Sequence, residues 1–483
     1  MKPIIEKISL SMTPFEMYSH FSDCPDSFFL DSGMDPDRLG RFSFMGVEPF
    51  LVFKSRGRDI DVDLQGWRKL FSGNPFCVLR DLLSKYQSDF RTDDFPFWGG
   101  AVGWFSYDLK QFTEKLPDTA SEDTDIPECM LGFYDTVLIF DNLAQRAFIA
   151  STGYPETGQK RALRARARLA SLKDRVLSID RYESGSRAGA EPVRCRALTS
   201  NFSREEYCRA IRGAKRYITK GDIYQVNLSQ RFSAVTESDP FRIYAALRKI
   251  NPAPFAAYLN FRDAQVISAS PERYIRVFGR KIETRPIKGT RPRGATSVED
   301  KRLKRELVSS VKDRAENLMI VDLERNDLGR ICGYGSVKVS EFMTCEEFPT
   351  VFHLTSTIEG KLRKGVGPVD ILLNCFPGGS ITGAPKIRAM EIIEELEGVK
   401  RSVYTGAAGY ISFNGDMDTS VIIRTLLHRR GKLYFSVGGG IVHDSNPSKE
   451  YEETLHKARA LIQAIGYSEQ GGVFTAVPAE VRG

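Results

Sequence analysis

The chain has no long apolar run, no paired cysteines and no strong charge of either sign, and each absence removes a class of protein. No stretch approaches the roughly 18 consecutive apolar residues of a membrane-spanning helix. The opening MKPIIEKISL is charged and interrupted by Pro3, unlike the apolar centre of a signal peptide. The eight cysteines, scattered from Cys24 to Cys375, include no CxxC pair and no Cys/His spacing of a zinc site. That usage implies reduced thiols and a cytoplasmic location without membrane contact. Lys+Arg 69 against Asp+Glu 62 leaves a net charge of +7 over 483 residues. Such an excess is too slight to grip nucleic acid, yet it suits a small anionic metabolite.

A hydrophobic fraction of 41% and a charged fraction of 27% describe a folded chain, and its length exceeds what one ordinary core holds. Residues 1–178 read as mixed strands and turns with a basic helix over 158–178. The polar, Gly/Ala/Ser-rich stretch 179–199 reads as a linker, 200–465 as a second domain and 466–483 as a loose tail. The glycine/aromatic run Phe97-Trp98-Gly99-Gly100-Ala101-Val102-Gly103-Trp104 suits a strand approached closely by other backbone. Ser203 with Glu206 forms a capping box for a helix that Gly221 ends. In the following strand Tyr224, Val226 and Leu228 alternate with Gln225, Asn227 and Ser229, so its polar side borders solvent or lines a pocket. Asp239-Pro240 opens a short helix. Strands over 254–261, 264–270, 273–278 and 281–288 suggest an antiparallel meander. One long helix is expected from Ser297 to Leu328, and a final helix from Ser448 to Ile465. Without a regular βαβ alternation, the fold class is α+β with mainly antiparallel sheet.

Several segments can carry chemistry. On the final helix, Glu450, Glu453 and Lys457 share a stripe separate from the apolar one of Tyr451, Leu455, Ala458 and Ile462. Two carboxylates one turn apart can share a hard cation such as Mg2+, or simply favour the helix start and pair with Lys457. Asp313 and Glu316 repeat the spacing, and Glu272 lies in Ser270-Pro271-Glu272-Arg273 between two strands. PGGSITGAPK has the glycines of a phosphate loop, but Lys386 does not directly follow the second glycine, so a nucleotide fold is not supported. Gly438-Gly439-Gly440 lets backbone N–H groups approach an anion. In RPIKGTR, Arg285, Lys288 and Arg291 fall within seven residues. Neighbouring cations favour a neutral lysine, which can act as a nucleophile. The alternative is a basic patch that grips carboxylates.

Taken together and in order, GDIYQVNLSQRF, SPERY, TRPIKGTRPRG, KDRAENLMIVDLERNDLGR, FHLTSTIEG, FPGGSITGAPKIRAMEII, GYISFNGDMDTSVIIRTL, GGGIVHDS and KEYEETLHKA resemble the chorismate-utilising enzymes. That family holds the anthranilate synthase large subunits, isochorismate and salicylate synthases and aminodeoxychorismate synthase component I. FLDSG, GRFSFMGVEPF and WGGAVGWFSYDL resemble its regulatory half more loosely. The resemblance implies two domains built as a sandwich of mainly antiparallel sheets with helices outside. Anthranilate synthases usually carry Ala where this chain has Lys288, and the aminodeoxychorismate branch carries the lysine. Isochorismate and salicylate enzymes have a water-activating lysine where this chain has Gln225.

The resemblance further implies that Glu316, Glu450 and Glu453 hold Mg2+, Glu272 is the general acid and Lys288 the nucleophile that forms a covalent adduct on chorismate. His353 matches an active-site histidine that serves as polar contact or base. Thr290, Tyr404, Arg424, Gly438, Gly439, Gly440 and Lys457 match substrate contacts, and Asp313 a carboxylate behind the metal ligands. Family members bind tryptophan; the matching positions are Ser32, Arg41, Phe42, Pro254, Phe255 and Ala256, and the usual Leu-Glu-Ser reads Leu-Asp-Ser here. No glutaminase triad motif is visible, so ammonia is free or comes from a separate glutamine amidotransferase subunit. The alternatives are an anthranilate synthase component I, with a lyase step that releases pyruvate, and a regulatory protein that binds chorismate or tryptophan without turnover.

Overall fold

The computed structural model describes residues 2–183, 192–348, 351–467 and 475–476. Among them are two sheets, of 13 and 12 strands, with helices packed on them. Strand pairing is antiparallel, except where Cys195–Ser200 meets Thr475–Ala476. The fold is α+β. Each sheet draws strands from both sequence regions. In the larger, Ser27–Asp31 pairs with Phe255–Asn260; in the smaller, Gly100–Phe105 pairs with Ala407–Ser412. Side chains of both sheets meet in one large apolar cluster that includes Phe28, Phe53, Trp104, Val266, Ile275 and Met417. The glycine/aromatic run lies there because it must: a Cβ on Gly103 would stand 1.8 Å from the Met130 carbonyl oxygen. Among the described residues no helix is long and apolar enough to cross a membrane.

Local signals translate directly into elements. Both halves of the Ser203/Glu206 capping box form, and Gly221 closes that helix in the left-handed conformation at φ 82. Asp239 caps the helix Pro240–Ile250, and the final helix spans Pro447–Ala464. The basic helix runs on to Tyr182 and a strand begins at Cys195. The linker expected over 179–199 is therefore structured at both ends, and its residues 184–191, like most of the 466–483 tail, lie outside the described ones.

Two expectations require correction. The four strands after residue 254 do not form one meander. Phe255–Asn260 and Gln265–Ser270 belong to the larger sheet, whereas Arg273–Phe278 and Lys281–Arg285 belong to the smaller. The chain changes sheets at Pro271-Glu272, where proline offers no ladder donor, so Glu272 lies in the connection from one sheet to the other. The long helix is likewise two helices, Ser297–Ser309 and Val311–Ile331. Ser310 breaks them because its hydroxyl caps the second by accepting from Asp313 N.

A buried polar tether joins the two regions. Lys110 Nζ lies 2.9 Å from Glu394 Oε2, with both side chains almost fully buried. Glu394 Oε1 also accepts from Thr119 N at 2.9 Å and Ala120 N at 2.8 Å. Lys110→Ala leaves that carboxylate without its cation and is expected to cost about 3–5 kcal/mol. A urea titration checks this as a lowered midpoint, and Glu394→Gln in the same background should recover part of the loss.

Candidate active site

The edge strand Ile287–Pro292 pairs with Val351–Lys361, and its ladder is irregular between Ile287 and Thr290. Gly289, at φ 87, supplies the backbone freedom that this irregularity requires. Thr290 stands opposite His353, and Thr290 Oγ1 lies 2.9 Å from His353 Nδ1. Burial, helped by the Arg424 charge, pushes the imidazole down to about 4, so it is neutral at pH 7.

Lys288 retains some accessible surface but is enclosed enough that burial pushes its amine below the ordinary lysine value. Glu272 and Glu316 oppose that shift, and Lys457 reinforces it. The Lys288 Nζ donates to the Ser380 carbonyl oxygen at 2.8 Å. Glu272 is 5% exposed, and Ser380 Oγ donates to its Oε1 at 2.6 Å. Burial pushes this carboxyl upward against the pull of Ser380 and Lys288. An amine held toward neutrality and an acid held toward protonation thus share one serine.

Glu316 and Glu450 flank the Lys312 ammonium, at 3.8 and 3.6 Å. Burial raises the Glu316 carboxyl, Lys288 and Lys312 opposing it, and its Oε1 is buried without a hydrogen-bond partner. Glu453 is more open. Burial alone would raise it, but Lys457, whose Nζ is 2.8 Å from its Oε1, holds it below the usual range with help from Lys312 and Lys288. Gly439 faces this group: a Cβ there would stand 3.5 Å from Glu450 Oε2 and 3.7 Å from Glu453 Oε1. Among the described residues no three His, Cys, Asp or Glu side chains form a ready metal cage. Lys312 stands between Glu316 and Glu450, and Lys457 pairs with Glu453. Asp313 accepts from Arg291 Nη2 at 3.0 Å, behind the Lys288 strand.

Ten residue pairs register Gln225–Thr236 against Lys432–Ile441, laying Gly438–Gly440 across Ser229, Leu228 and Asn227. A Cβ on Gly438 would meet the Leu228 carbonyl oxygen at 2.4 Å, and one on Gly440 the Gln225 Nε2 at 2.6 Å. The polar side of the Gln225 strand therefore faces the site. Gln225 is fully buried with neither amide atom hydrogen-bonded. Lys457 Nζ donates to the Gly438 carbonyl oxygen at 2.8 Å. Arg424 donates to the Lys457 carbonyl oxygen, adopts φ 54 and has no carboxylate partner among the described residues. Burial works against its charge, with only Tyr404 and Glu453 in support. A guanidinium so placed is a ready anchor for an incoming carboxylate.

The remaining predicted positions gather elsewhere. Ser32, Arg41, Phe42, Pro254, Phe255 and Ala256 all line one cavity of about 420 Å3 between the two sequence regions. None of Lys288, Glu272 and His353 lines it, although Arg273, next to Glu272 in sequence, does. Asp31 is held there by Arg248 and, at 2.8 Å, by Tyr244 Oη. Sequence reasoning missed Ser380, Asn227, Lys312 and Arg401. Ser380 lies in the glycine-rich segment first compared with a phosphate loop, and Lys386 of that segment is bound to Asp327 and to the Cys375 and Pro377 carbonyls.

A chorismate binding enzyme family model matches residues 38–463. Anthranilate synthase component 1 of Acetivibrio thermocellus is 40% identical over 469 residues, 96% of this chain and 95% of that protein. Aminodeoxychorismate synthase component 1 of Escherichia coli K12 is also 40% identical, over 93% of this chain and 95% of its own. The crystal structure of anthranilate synthase component I from Streptococcus pneumoniae TIGR4 superposes with a TM-score of 0.77 at 32% identity, covering 87% of this chain and 92% of that one. The chain belongs to the chorismate-binding enzymes and is a chorismate-utilising enzyme.

Arg424→Met removes the uncompensated cation. It is expected to weaken chorismate binding by about 1.5–3 kcal/mol, roughly 10- to 150-fold, while leaving the ligand-free protein as stable or more so. Calorimetric titration and thermal unfolding read the two effects separately.

Proposed function

We propose that the chain converts chorismate and ammonia into 4-amino-4-deoxychorismate, the reaction of an aminodeoxychorismate synthase component I on the route to 4-aminobenzoate and folate. The observation that carries this reading is the sheltered Lys288 amine, pushed toward neutrality and hydrogen-bonded to the residue that also holds the Glu272 carboxyl. Such a pair supplies a nucleophile and an acid in one enclosed place. In this mechanism Lys288 Nζ bonds to ring carbon C2 while Glu272 gives a proton to the C4 hydroxyl, which departs as water as the double bonds shift. Ammonia then bonds to C4, the C2–N bond breaks, and the electron pair returns to the lysine. After proton loss from nitrogen, the net change is hydroxyl for amine without oxidation. Arg424 takes the enolpyruvyl carboxylate, with Tyr404, Thr290 and the backbone of Gly438–Gly440 completing the contact. His353, neutral at pH 7, serves as a polar contact.

Glu316, Glu450 and Glu453 are the residues that would hold Mg2+. Their hard oxygen donors suit it, the Lys312 ammonium already stands as a cation between two of them, and Glu316 Oε1 is buried without a hydrogen-bond partner among the described residues. When bound, the ion would offset the charge of the ring carboxylate. A separate glutamine amidotransferase subunit would supply ammonia, and the 420 Å3 cavity would take tryptophan. The second reading is anthranilate formation with release of pyruvate, favoured by the equal identity of relatives bearing that name.

Incubation with chorismate, ammonia and Mg2+ decides between them, since a fluorescent anthranilate product overturns amination at C4. Lys288→Ala is expected to keep chorismate binding and to slow amination by about two orders of magnitude or more. Intact-mass analysis with chorismate and no ammonia should find an adduct on the PIKGT peptide of the wild type, absent from the variant. Glu453→Gln should raise the Mg2+ needed for half-maximal activity by at least the roughly tenfold that loss of an outer contact brings; an unaltered titration curve counts against this ligand.

A further inference from the structure

We infer that Ser380 is the positioning residue that sets the acid and the nucleophile relative to each other, its hydroxyl fixing Glu272 and its carbonyl fixing Lys288. This rests on the amination reading for the roles of those two groups. Ser380 is 5% exposed. Its Oγ donates to Glu272 Oε1 at 2.6 Å, beside the Ile287 N–H that also donates to this carboxylate, so the orientation of the acid is held from two sides. Its carbonyl oxygen accepts from Lys288 Nζ at 2.8 Å and from Asn227 Nδ2 at 2.7 Å, which fills both lone pairs. A neutral amine has two N–H groups and one lone pair. Tying one N–H to a saturated, immobile acceptor confines the direction in which that lone pair points.

The serine can do this because its own turn is held on every side. Gly379 N donates to Glu324 Oε1 at 3.0 Å, and Arg401 Nη1 to the Ile381 carbonyl oxygen at 3.0 Å. Asn227 N donates to the Thr382 carbonyl oxygen at 2.7 Å, and Thr382 Oγ1 to that of Gly378 at 3.0 Å. Lys386 Nζ donates to the Pro377 carbonyl oxygen at 2.9 Å. A Cβ on Gly379 would press on Leu323 Cδ2 at 2.7 Å, so the turn sits directly on the Val311–Ile331 helix. Bonds from the Gln225–Thr236 strand, that helix and the Lys386–Glu397 helix thus converge on six consecutive residues. The charged groups that act on Glu272 are Lys288 and, across the turn, Glu324.

The test compares Ser380→Ala, which loses the hydroxyl arm alone, with Ser380→Thr, which keeps it, and Ser380→Cys, a weaker donor of similar size. In the alanine variant kcat is expected to fall about tenfold or more with KM for chorismate within twofold. One limb of the pH–rate profile should move to higher pH, because a carboxylate that loses a donor binds its proton more tightly, while the other limb stays. The threonine variant should recover most of the rate, and the cysteine variant should lie between. Wild-type kcat and pH profile in Ser380→Ala overturn the inference. So does a fall in kcat with a parallel rise in KM that threonine does not rescue, since that is a packing defect. The Glu272 carboxyl band, isolated by infrared difference against Glu272→Gln, provides a readout independent of the product. It should titrate at higher pH in Ser380→Ala even if the wild type makes anthranilate and the amination reading fails; an unmoved titration refutes the role of Ser380 itself.

Discussion

The walls of the site hang on one buried ion pair. Arg401 Nε and Nη2 meet Glu397 Oε2 and Oε1 at 2.8 and 2.7 Å, and both side chains are almost fully buried. From there Arg401 donates to the Asn227 and Ile381 carbonyl oxygens, and Glu397 accepts from Ser229 N and Oγ. The guanidinium also lies 4.8 Å from the Tyr107 ring and 5.8 Å from that of Tyr404. One pair therefore joins the Gln225 strand, the Ser380 turn, the Tyr404 loop and the segment following the buried Trp104 strand. Buried pairs of this kind add little net stability because both charges lose their water. Their effect is geometric, since each partner accepts only an arrangement that satisfies all its hydrogen bonds.

That frame explains the unusual electrostatics around it. Lys288, Glu272, Arg424 and His353 are each shifted, with burial the largest cause, toward the form that carries less charge. Alone, each would be costly. Held together, they stand among groups that balance them: Glu272 and Glu316 support the Lys288 charge, Lys288 that of Glu272, and Tyr404 and Glu453 that of Arg424. Positive φ at Ser402, Thr405 and Arg424 concentrates backbone strain in the same loops.

Much of this was legible in the sequence, for definite reasons. Capping boxes, left-handed glycine stops and Asp-Pro helix starts depend on a few adjacent residues, and those at Ser203, Gly221 and Asp239 were read correctly. The alternation of Gln225, Asn227 and Ser229 marked a polar strand face, but whether it met water or a pocket depended on the Gly438–Gly440 strand more than 200 residues away. The change of sheet at Pro271-Glu272 was invisible because two successive hairpins look alike whichever sheet receives them. The break at Ser310 was missed because Ser is tolerated within a helix, and its capping role appears only with Asp313 in place. Lys288, Glu272 and the glutamates stood out by local charge and helical spacing, and the ordered motifs of the resemblance supplied the roles expected of them. Ser380 was not, because it acts partly through a main-chain carbonyl, which any residue could have offered.

Alternation of early and late strands within both sheets has a consequence for truncation. A fragment beginning at residue 200 would bare the Phe255–Asn260 edge that Ser27–Asp31 covers and the Ala407–Ser412 edge that Gly100–Phe105 covers. Raw edges with apolar flanks invite pairing between chains. The segment from residue 200 thus cannot be excised as a minimal unit without a substitute for those strands, and gene fusions or splits in such a chain would have to fall outside both sheets.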